Sequence, residues 1–334
     1  MKWDKGTDKP VRPPRVTNPQ TEPTPVDIRV GSFSEIDSAR QCPHKHQLSY
    51  RERWVSPTES PALTRGTRWH WIMETWYLAL REGGPKRTYK MEVIQQAMAD
   101  INQFLKRIDD EQEQRLLTYM WGEYRRCYGL DMEWEILSVE GKIEIPLPNP
   151  RGGESKFSIK LKMDLVVRDF NGSIAVVDHK TCRVLPYDKE YAIDDQFALY
   201  TWGLRQTGLD CAYSLHSAAR TFVPAEDDRP KNSDGLSLNK DGSVSKRQPA
   251  GGLLSERFKR TRMHRTDLEL ENIAREVYTT LEAMWDADTR YRVPDGERCR
   301  WRCDYLEACL AGRKGLDEKK MLRTLGFVQD FTRH

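Results

Sequence analysis

The chain has 334 residues, enough for one large hydrophobic core or for one core with a small appended module. Its formal net charge is only +3 although 31% of the residues are charged, so the charge balance neither favours nor excludes a nucleic-acid partner. No signal peptide and no run of about 18 apolar residues is recognisable, which predicts a soluble, intracellular protein without a membrane partner. Seven cysteines in such a compartment indicate reduced thiols or metal ligands and argue against a disulfide framework.

Residues 1–30 contain six prolines and almost no apolar periodicity, which predicts a disordered tail. A capping-box pattern beginning at Ser34 predicts a short helix that ends near Cys42, and a second short helix is predicted over 44–54. His44 and His46 lie beside Cys42. We interpret these two histidines as exposed polar residues in preference to zinc ligands.

Residues 64–81 have helical spacing, and His70 and Glu74 lie four residues apart on one face of that helix. A lone histidine on such a helix is more often a packing or capping residue than a ligand, so its role is open at this point. Two more helices are predicted at 88–108 and 111–129. The predicted buried stripe of the first helix consists of Trp69, Ile72, Met73, Trp76, Tyr77 and Leu80.

From residue 133 the apolar period changes to two, which predicts strands at 133–146, 156–168 and 173–180. A Pro/Gly-rich turn joins the first two strands, and Asn171-Gly172 joins the last two in a tight hairpin. Glu140 lies inside the first strand among apolar residues. It is either a sheet-edge charge or a neighbour of the acidic groups on the next two strands.

Asp164 lies in the second predicted strand, and Asp178 and Lys180 lie at the end of the third. Alternation along a strand places Asp178 and Lys180 on the same face and His179 on the other. Paired carboxylates suit Mg²⁺ or Mn²⁺, and a lysine beside the ion can orient water and stabilise charge on a phosphate. The alternative is a hairpin with ordinary polar strand ends.

Residues 188–206 are predicted to form an amphipathic helix with Gln196 and Tyr200 one turn apart, and 212–224 to return as a strand. This order predicts a crossover that packs the helix on the sheet and leans both residues toward the strand ends. Residues 225–263 are polar and become basic toward their end. They form either a DNA-contacting loop or a solvated insertion.

A second capping box at Thr266 predicts a helix to about Asp288, whose core stripe is Ile273, Val277, Leu281, Met284 and Trp285. Three cysteines follow within eleven residues, at Cys299, Cys303 and Cys309. Their spacing indicates thiolate ligation of an iron–sulfur cluster or zinc, with Cys42 as the candidate fourth ligand. The alternative is three unliganded surface cysteines.

These features together resemble the RecB-like branch of the PD-(D/E)XK nuclease superfamily, in particular its iron–sulfur members, which include CRISPR-associated RecB-like exonucleases and many phage exonucleases. The resemblance covers about residues 35–310 and depends on the order and spacing of several pieces. Those pieces are Cys42-Pro43, Gly66-x-x-x-His70, Glu140, Asp164, Asp178-His179-Lys180-Thr181, Gln196-x-x-x-Tyr200 and the Cys299/Cys303/Cys309 cluster.

The resemblance implies roles for individual residues. The expected metal ligands are His70, Asp164 and Asp178, which would hold Mg²⁺ or Mn²⁺. The expected catalytic residues are Lys180, which positions or activates water, with Asp178, Asp164, Glu140, Gln196 and Tyr200. The expected ligands of a [4Fe–4S] cluster, with zinc as the alternative, are Cys42, Cys299, Cys303 and Cys309.

The resemblance also implies an α/β fold: a restriction-endonuclease-like core with a central mixed β-sheet flanked by helices, its N- and C-terminal segments joined by an iron–sulfur cluster. After the tail, the expected nuclease domain covers residues 31–312, and 313–334 form a C-terminal extension. Within this domain we expect a helical part at 60–130, the nuclease core at 133–224, the basic insertion at 225–263 and a cysteine-rich module at 264–312.

The implied function is metal-dependent DNA exonuclease activity on ends or single strands, in recombination, replication or repair. The alternatives are a structure-specific endonuclease and an inactive DNA-binding or complex-assembly module. No phosphate loop of the G-x-x-x-x-G-K-[ST] type occurs, so a helicase or recombination partner would be a separate protein. Assembly into a homo-oligomer and a cytoplasmic location in a bacterial or phage-infected cell are further expectations.

Overall fold

The computed structural model describes residues 28–82, 90–187, 193–223, 229–234, 236–247, 254–285 and 291–332. Within these ranges the chain divides into two units, which are described separately. The first unit contains Ala62–Ile143 and Lys162–Leu270, and the second contains 28–61, Glu144–Leu161 and the residues from Glu271 onward. Two strands, Glu135–Pro146 and Phe157–Arg168, continue from one unit into the other. No described helix combines the length and the hydropathy needed to cross a bilayer.

The first unit is built from four helices and five strands of the described chain. The helices are α3 (Pro61–Glu82), α4 (Met91–Lys106), α5 (Glu111–Tyr128) and α6 (Asp195–Gln206). The strands are β3 (Glu135–Pro146), β4 (Phe157–Arg168), β5 (Ile174–Cys182), β6 (Cys211–Arg220) and β7 (Phe258–Met263).

The strands of the first unit form a mixed sheet in the order β4-β5-β6-β7, and β3 also pairs with β4. The β4/β5 and β6/β7 pairs are antiparallel, whereas β5 and β6 are parallel. A parallel pair needs a crossover connection, and α6 lies in that connection as predicted. The predicted three strands and the hairpin are confirmed, with Gly172 at a φ of +86° in the turn.

Helices cover both faces of this sheet. On one face, α3, α4 and α5 share a core with Tyr213 and Leu215 of β6 and with residues of β4 and β5. On the other face, Phe197 of α6 packs edge-on against His216 of β6 at 5.4 Å between ring centroids. Because side chains alternate along a strand, Leu215 and His216 identify opposite faces. The predicted α/β fold with a mixed sheet flanked by helices, consistent with a restriction-endonuclease-like core, is confirmed.

The apolar stripe of α3 lies in this core. All six residues predicted to be buried on it are at most 4% exposed, and Trp76 meets Trp121 of α5 at 5.2 Å in an edge-to-face contact. Helix α6 begins later than predicted because Asp194 caps it, accepting a hydrogen bond from the Gln196 amide at 2.9 Å. The predicted helical residues 188–192 lie outside the described residues.

The basic segment near residue 260 is a strand, so the prediction of a loop throughout 225–263 was wrong at its end. Strand β7 pairs with β6 from Ser214↔Met263 to Ala219↔Phe258. The basic residues concealed the strand period because Arg260 is largely buried and binds buried polar groups, whereas Arg262 is exposed. Part of the predicted insertion lies outside the described residues.

The second unit contains the remaining helices and strands. They are β1 (Arg29–Ser32), α1 (Phe33–Gln41), α2 (Pro43–His46) with a π-helical turn at Gln47–Arg51, β2 (Trp54–Val55), α7 (Asp267–Trp285), α8 (Gly296–Arg302), α9 (Leu306–Arg313), α10 (Glu318–Thr324) and β8 (Val328–Gln329). Strand β1 pairs in parallel with Phe157–Lys160 of β4, and β2 pairs with β8 in antiparallel orientation.

Residues from the N- and C-terminal parts of the chain form one small core in the second unit. Leu48 and Trp54 pack there with Tyr305, Leu322 and Phe327, and the Tyr305 hydroxyl donates a 2.6 Å hydrogen bond to the Trp54 carbonyl. Side chains of this unit therefore join segments that are far apart in sequence.

Two helix starts test the capping predictions. The first helix is capped by Ser32, two residues before the predicted Ser34, because the Ser32 hydroxyl accepts the Glu35 amide. At α7 the predicted box is confirmed: Thr266 Oγ1 accepts the Glu269 amide at 3.3 Å, and the Glu269 carboxylate accepts the Thr266 amide at 2.7 Å. Of the stripe predicted for α7, Val277 and Leu281 are fully buried, and the other three residues are half-buried.

The two histidines beside Cys42 are not exposed, which corrects our interpretation of them. His46 is 4% exposed and pairs through Nε2 with Glu35 Oε1 at 3.0 Å. His44 is half-buried and contacts Glu318 at 2.7 Å. Both carboxylates are contributed by other helices, so the local sequence held no sign of them.

Candidate metal centre

Two antiparallel strands bring the predicted carboxylates together. Leu165 of β4 pairs with Val177 of β5, so Asp164 and Asp178 each lie one residue beyond that pair. Lys180 lies on the same face as Asp178, and its Nζ is 2.8 Å from Asp178 Oδ2. The predicted convergence of two aspartates and one lysine is present.

Helix α3 adds His70 to this group. Its Nδ1 lies 3.2 Å from Asp164 Oδ2, and the same oxygen accepts a 2.7 Å hydrogen bond from the His179 backbone amide. One ligand atom each from His70, Glu140 and Asp164 lies within 4.8 Å of the others. Asp178, which we expected as the third ligand, is adjacent to this trio and not part of it. Glu140 is thus as well placed for a metal ion as the predicted ligands.

The backbone at Glu140 is strained. Its φ is +53°, a left-handed conformation that is uncommon for any residue with a side chain. A Cβ on the following Gly141 would lie 2.7 Å from Ser138 Oγ, so the kinked strand leaves little space there. Strain of this kind persists where the surrounding structure enforces it and is frequent at functional sites. The sequence showed an acid within a strand but gave no sign of this kink.

Burial and neighbouring charges set the protonation of the two aspartates. Burial raises the pKa of Asp178 to about 6; the Lys180 ammonium opposes this shift, and the Asp164 charge adds to it. Burial also acts to raise the pKa of Asp164, but the hydrogen bond and charge of His70 outweigh it and leave this pKa lowered. Asp164 is therefore the more strongly ionised of the two carboxyl groups.

The two basic side chains of the site, His70 and Lys180, hold their protons more firmly than usual. Burial acts to lower the pKa of His70, yet the Asp164 carboxylate leaves it raised. Burial likewise opposes the charge on Lys180, but Asp178 raises the pKa of this lysine above its ordinary value. In the metal-free site Lys180 is therefore an ammonium, suited to stabilising negative charge.

The donor set fits a small divalent cation. Asp178 Oδ2 and Glu140 Oε2 are buried, and each contacts a lysine, but neither accepts a hydrogen bond of good geometry from a described residue. Carboxylate oxygens with one imidazole nitrogen are ligands that Mg²⁺ and Mn²⁺ accept. Such an ion would satisfy oxygens that the protein leaves without hydrogen bonds.

Helix α6 contributes Gln196 and Tyr200, which are joined by a 2.7 Å hydrogen bond from the amide of Gln196 to the hydroxyl of Tyr200. Burial raises the pKa of Tyr200 well above its ordinary value, and the charges of Asp178 and Asp164 add to this. The tyrosine is therefore near both carboxylates. The sequence analysis missed Asp194, which caps this helix and lies within electrostatic range of Lys180.

A buried aromatic network lies behind the metal site, and the sequence analysis missed it. The His179 ring is 1% exposed, stacks on Tyr77 at 5.4 Å, and makes no hydrogen bond at either nitrogen with a described residue. Burial lowers its pKa to about 3, so the ring is neutral. The hydroxyls of Tyr77 and Tyr124 in turn bind Arg260. The His179 amide that donates to Asp164 thus belongs to a residue whose side chain is buried in this aromatic network.

The four cysteines predicted to act together lie in the second unit and line one cavity of about 430 Å³. They are Cys42, Cys299, Cys303 and Cys309, and none forms a disulfide. Cys309 Sγ accepts a 3.2 Å hydrogen bond from Arg292 Nε. His44, Cys309 and Glu318 also place one ligand atom each within 4.8 Å of one another. All four predicted thiols therefore line the cavity, and Cys309 also belongs to a mixed group with His44 and Glu318.

The other three cysteines lie within regular elements. Cys127 is in α5, Cys182 in β5 and Cys211 in β6. Burial raises the pKa of both Cys182 and Cys211 to about 11. Such thiols are poor metal ligands because the thiolate form is disfavoured.

Comparison with known proteins completes the description of this site. Residues 31–310 match the family model of the PD-(D/E)XK nuclease superfamily. Comparison with curated protein sequences gives no match.

Two solved structures are similar in part. SSO0001 has 13% identity and a TM-score of 0.29, with 81% of this chain and 91% of that chain covered. A protein named "Putative exonuclease" from Eubacterium rectale has 15% identity and a TM-score of 0.34, with 78% and 80% covered. These TM-scores are too low to support any assignment. Because the family model spans most of the chain, this protein belongs to the PD-(D/E)XK nuclease superfamily.

Proposed function

We propose that this nuclease is a metal-dependent DNA exonuclease of the RecB-like branch, acting on DNA ends or single strands. The observation that carries the proposal is the meeting of His70, Glu140 and Asp164 beside the Asp178–Lys180 pair. Three strands and one helix position these groups, so their convergence depends on the fold as a whole. Sites of this composition hydrolyse phosphodiesters by polarising the phosphate and orienting a water.

Each side chain has a definite task in this scheme. A bound Mg²⁺ or Mn²⁺ would polarise the phosphodiester and lower the pKa of a coordinated water. Asp164 is oriented by the imidazole of His70 and the amide of His179, while Asp178 holds the Lys180 ammonium in position. The ammonium of Lys180 orients the attacking water and stabilises the charge that develops on the phosphate.

Gln196 and Tyr200 support the same site from α6. Their mutual hydrogen bond leaves one N–H of the Gln196 amide to donate to the scissile strand, and it leaves the amide oxygen to accept a hydrogen bond from the Lys180 ammonium. We assign both residues a positioning role, because the buried Tyr200 hydroxyl keeps its proton. Loss of the Gln196 amide should therefore reduce the rate less than loss of Lys180.

The test is incubation of the purified protein with 5′- or 3′-labelled single- and double-stranded DNA in Mg²⁺ or Mn²⁺. The variants Asp178→Asn and Lys180→Met should lower the cleavage rate by at least about 100-fold, whereas Lys142→Met, an exposed lysine on β3, should not. Circular dichroism checks that all three variants fold. Full activity of either site variant would overturn the assignment.

The same assay separates the competing functions. Progressive shortening from one labelled end supports the exonuclease and gives its polarity. Cleavage of covalently closed circular DNA would instead identify an endonuclease. Binding without cleavage would identify a DNA-binding or complex-assembly module.

We further propose that Cys42, Cys299, Cys303 and Cys309 hold a [4Fe–4S] cluster that joins the N- and C-terminal segments of the second unit. The shared cavity supports this proposal, as does the electrostatic influence of Cys42 and Cys299 on the half-buried Cys303 thiol. The mixed group of His44, Cys309 and Glu318 supports zinc as the alternative.

Anaerobic purification followed by a UV–visible spectrum and iron and zinc assays distinguishes the two metals. Iron with a broad visible absorbance that Cys303→Ser removes and Cys127→Ser retains supports the cluster. Stoichiometric zinc that Glu318→Gln weakens supports the mixed site. A metal-free protein with unchanged stability in both variants would overturn both.

The biological setting belongs to the same proposal. We place the enzyme in DNA recombination, replication or repair in the cytoplasm of a bacterial or phage-infected cell. A separate helicase or recombination protein would supply unwinding, and self-association would form a homo-oligomer. The nuclease domain proposed for residues 31–312 can be tested by whether that fragment retains cleavage.

A further inference from the structure

A second lysine contacts the candidate metal centre. Lys162 lies in β4 two residues before Asp164, so alternation places both side chains on the same face. Its ammonium forms an ion pair with Oε2 of Glu140, one of the three groups that place ligand atoms within 4.8 Å of one another. A cation of the protein therefore already contacts a carboxylate of the candidate metal centre.

Several carboxylates act on this lysine. Partial burial acts to lower the pKa of Lys162, but the ion pair with Glu140 outweighs this effect, and the charges of Asp164 and Glu74 add to it, so this pKa is raised. Burial raises the pKa of Glu140, and the charges of Asp164 and Glu74 raise it further. Lys162 acts in the opposite direction and partly offsets this increase. The lysine thus neutralises part of an acidic cluster that would otherwise repel itself in the metal-free protein.

The lysine can leave this position at small cost. Its side chain is 57% exposed, whereas that of Glu140 is 14% exposed. An ammonium on a flexible four-carbon stem can turn away without unpacking the core. The ion pair is partly exposed and is therefore weak enough to be exchanged.

We propose that Lys162 neutralises Glu140 in the metal-free protein and transfers to a phosphate of the DNA strand when a divalent ion takes up Glu140. This inference rests on the proposed nuclease function. The exchange breaks the ion pair between Lys162 and Glu140, and it forms one contact between Glu140 and the metal ion and one between Lys162 and the phosphate. No covalent bond changes and no proton is transferred. Metal binding thus frees the Lys162 ammonium to contact a DNA phosphate beside the metal centre.

The test compares Lys162→Met with wild type and with Lys142→Met, which removes the same charge from an exposed position two residues from Glu140. Mn²⁺ binding is measured by titration calorimetry without DNA. Binding of labelled DNA is measured in Ca²⁺ over a series of KCl concentrations, with a gel to confirm that the DNA stays intact. Circular dichroism confirms the fold of both variants.

Lys162→Met should bind Mn²⁺ about two- to fivefold more tightly, because a competing partly exposed ion pair is removed. Its salt dependence of DNA binding should be shallower by about 0.7–0.9 in the slope of log K against log salt, the value of one phosphate contact. Lys142→Met should match wild type in both measurements.

Two results would overturn the inference while leaving the nuclease assignment intact. Both apply when wild type binds Mn²⁺ and cleaves DNA. The first is that Lys162→Met binds Mn²⁺ no more tightly than wild type. The second is that the slope of log K against log salt for DNA binding is the same in Lys162→Met and wild type. If wild type itself binds no Mn²⁺, the proposed function fails first and this inference fails with it.

Discussion

Replacing Arg260 by methionine should strongly destabilise the first unit, because this guanidinium satisfies a buried carboxylate. Arg260 donates to Asp131 at 2.6 and 3.0 Å, and to the hydroxyls of Tyr77 and Tyr124 at 3.1 and 3.0 Å. Its carbon Cζ also lies 3.5 Å from the centre of the Tyr128 ring. The side chains of Arg260 and Asp131 are only 16% and 6% exposed, so solvent screens this pair little.

The expected loss follows from leaving the buried Asp131 charge without its cation, although the Tyr77 hydroxyl still donates a 2.6 Å hydrogen bond to it. Removing one member of a buried ion pair costs about 3–5 kcal/mol of unfolding free energy. For a unit of this size, that loss corresponds to a decrease in Tm of roughly 6–20 °C. Methionine retains most of the apolar contact of the arginine stem, so the loss reports mainly on charge and hydrogen bonds.

Urea unfolding followed by circular dichroism and tryptophan fluorescence measures this loss. The matched control is Arg262→Met, which removes an exposed arginine from the same strand and should cost less than about 1 kcal/mol. The double variant Asp131→Asn/Arg260→Met should recover a large part of the loss, since no buried charge is then unpaired. Equal stability of the Arg260→Met and Arg262→Met variants would refute this reasoning.

Three further predictions concern the metal site and its support. The pKa of Asp178 is raised from about 4 to about 6 in the folded protein, because burial favours the neutral carboxyl group. The neutral Asp178 therefore contributes fully to stability below about pH 4, and this contribution is lost as the pH rises to about 6. In EDTA, the unfolding free energy of wild type should therefore fall relative to Asp178→Asn over that range, and parallel pH curves would contradict this. Gly141→Ala should weaken Mn²⁺ binding because the new methyl group would collide with Ser138 Oγ. The double variant Gly141→Ala/Ser138→Ala removes this collision and should bind Mn²⁺ as wild type does. If it does not, another contact is responsible. His179→Phe should keep stability and activity near wild type because the neutral ring stacks without hydrogen bonds, whereas His179→Ala should cost about 3 kcal/mol in urea unfolding. Equal losses in the two His179 variants would mean that a ring nitrogen has an essential partner.

Local periodicity accounts for the parts of the fold that were predicted correctly. Every residue of the predicted α3 stripe is buried because apolar side chains at helical spacing must share one face. Strand alternation predicted the contact between Asp178 and Lys180 for a similar reason. These patterns depend on residues close in sequence, so no knowledge of the tertiary structure was needed.

Partners that are distant in sequence account for what was missed. Strand β7 was interpreted as a basic loop because the buried partners of Arg260, among them Asp131 and Tyr77, lie at least 129 residues earlier in the sequence. The grouping of Glu140 with His70 depends on a positive backbone φ at Glu140 and on a helix three elements earlier in the chain. The ion pair between Lys162 and Glu140 was not predicted either, because it joins two strands. The position of Lys162, two residues before Asp164 on the same strand, did indicate that its side chain lies on the face of the metal centre.

The order in which the chain is synthesised gives the hydrogen bond between Tyr305 and Trp54 a further consequence. These residues are 251 positions apart, so at typical translation rates the first waits roughly 10–50 s for the second to be made. During that interval, the first unit can already fold on the ribosome, while the segment that carries Cys42 has no completed core to join. The four-cysteine cavity is therefore among the last parts of the protein to form, and any metal it receives must be delivered after translation is nearly complete.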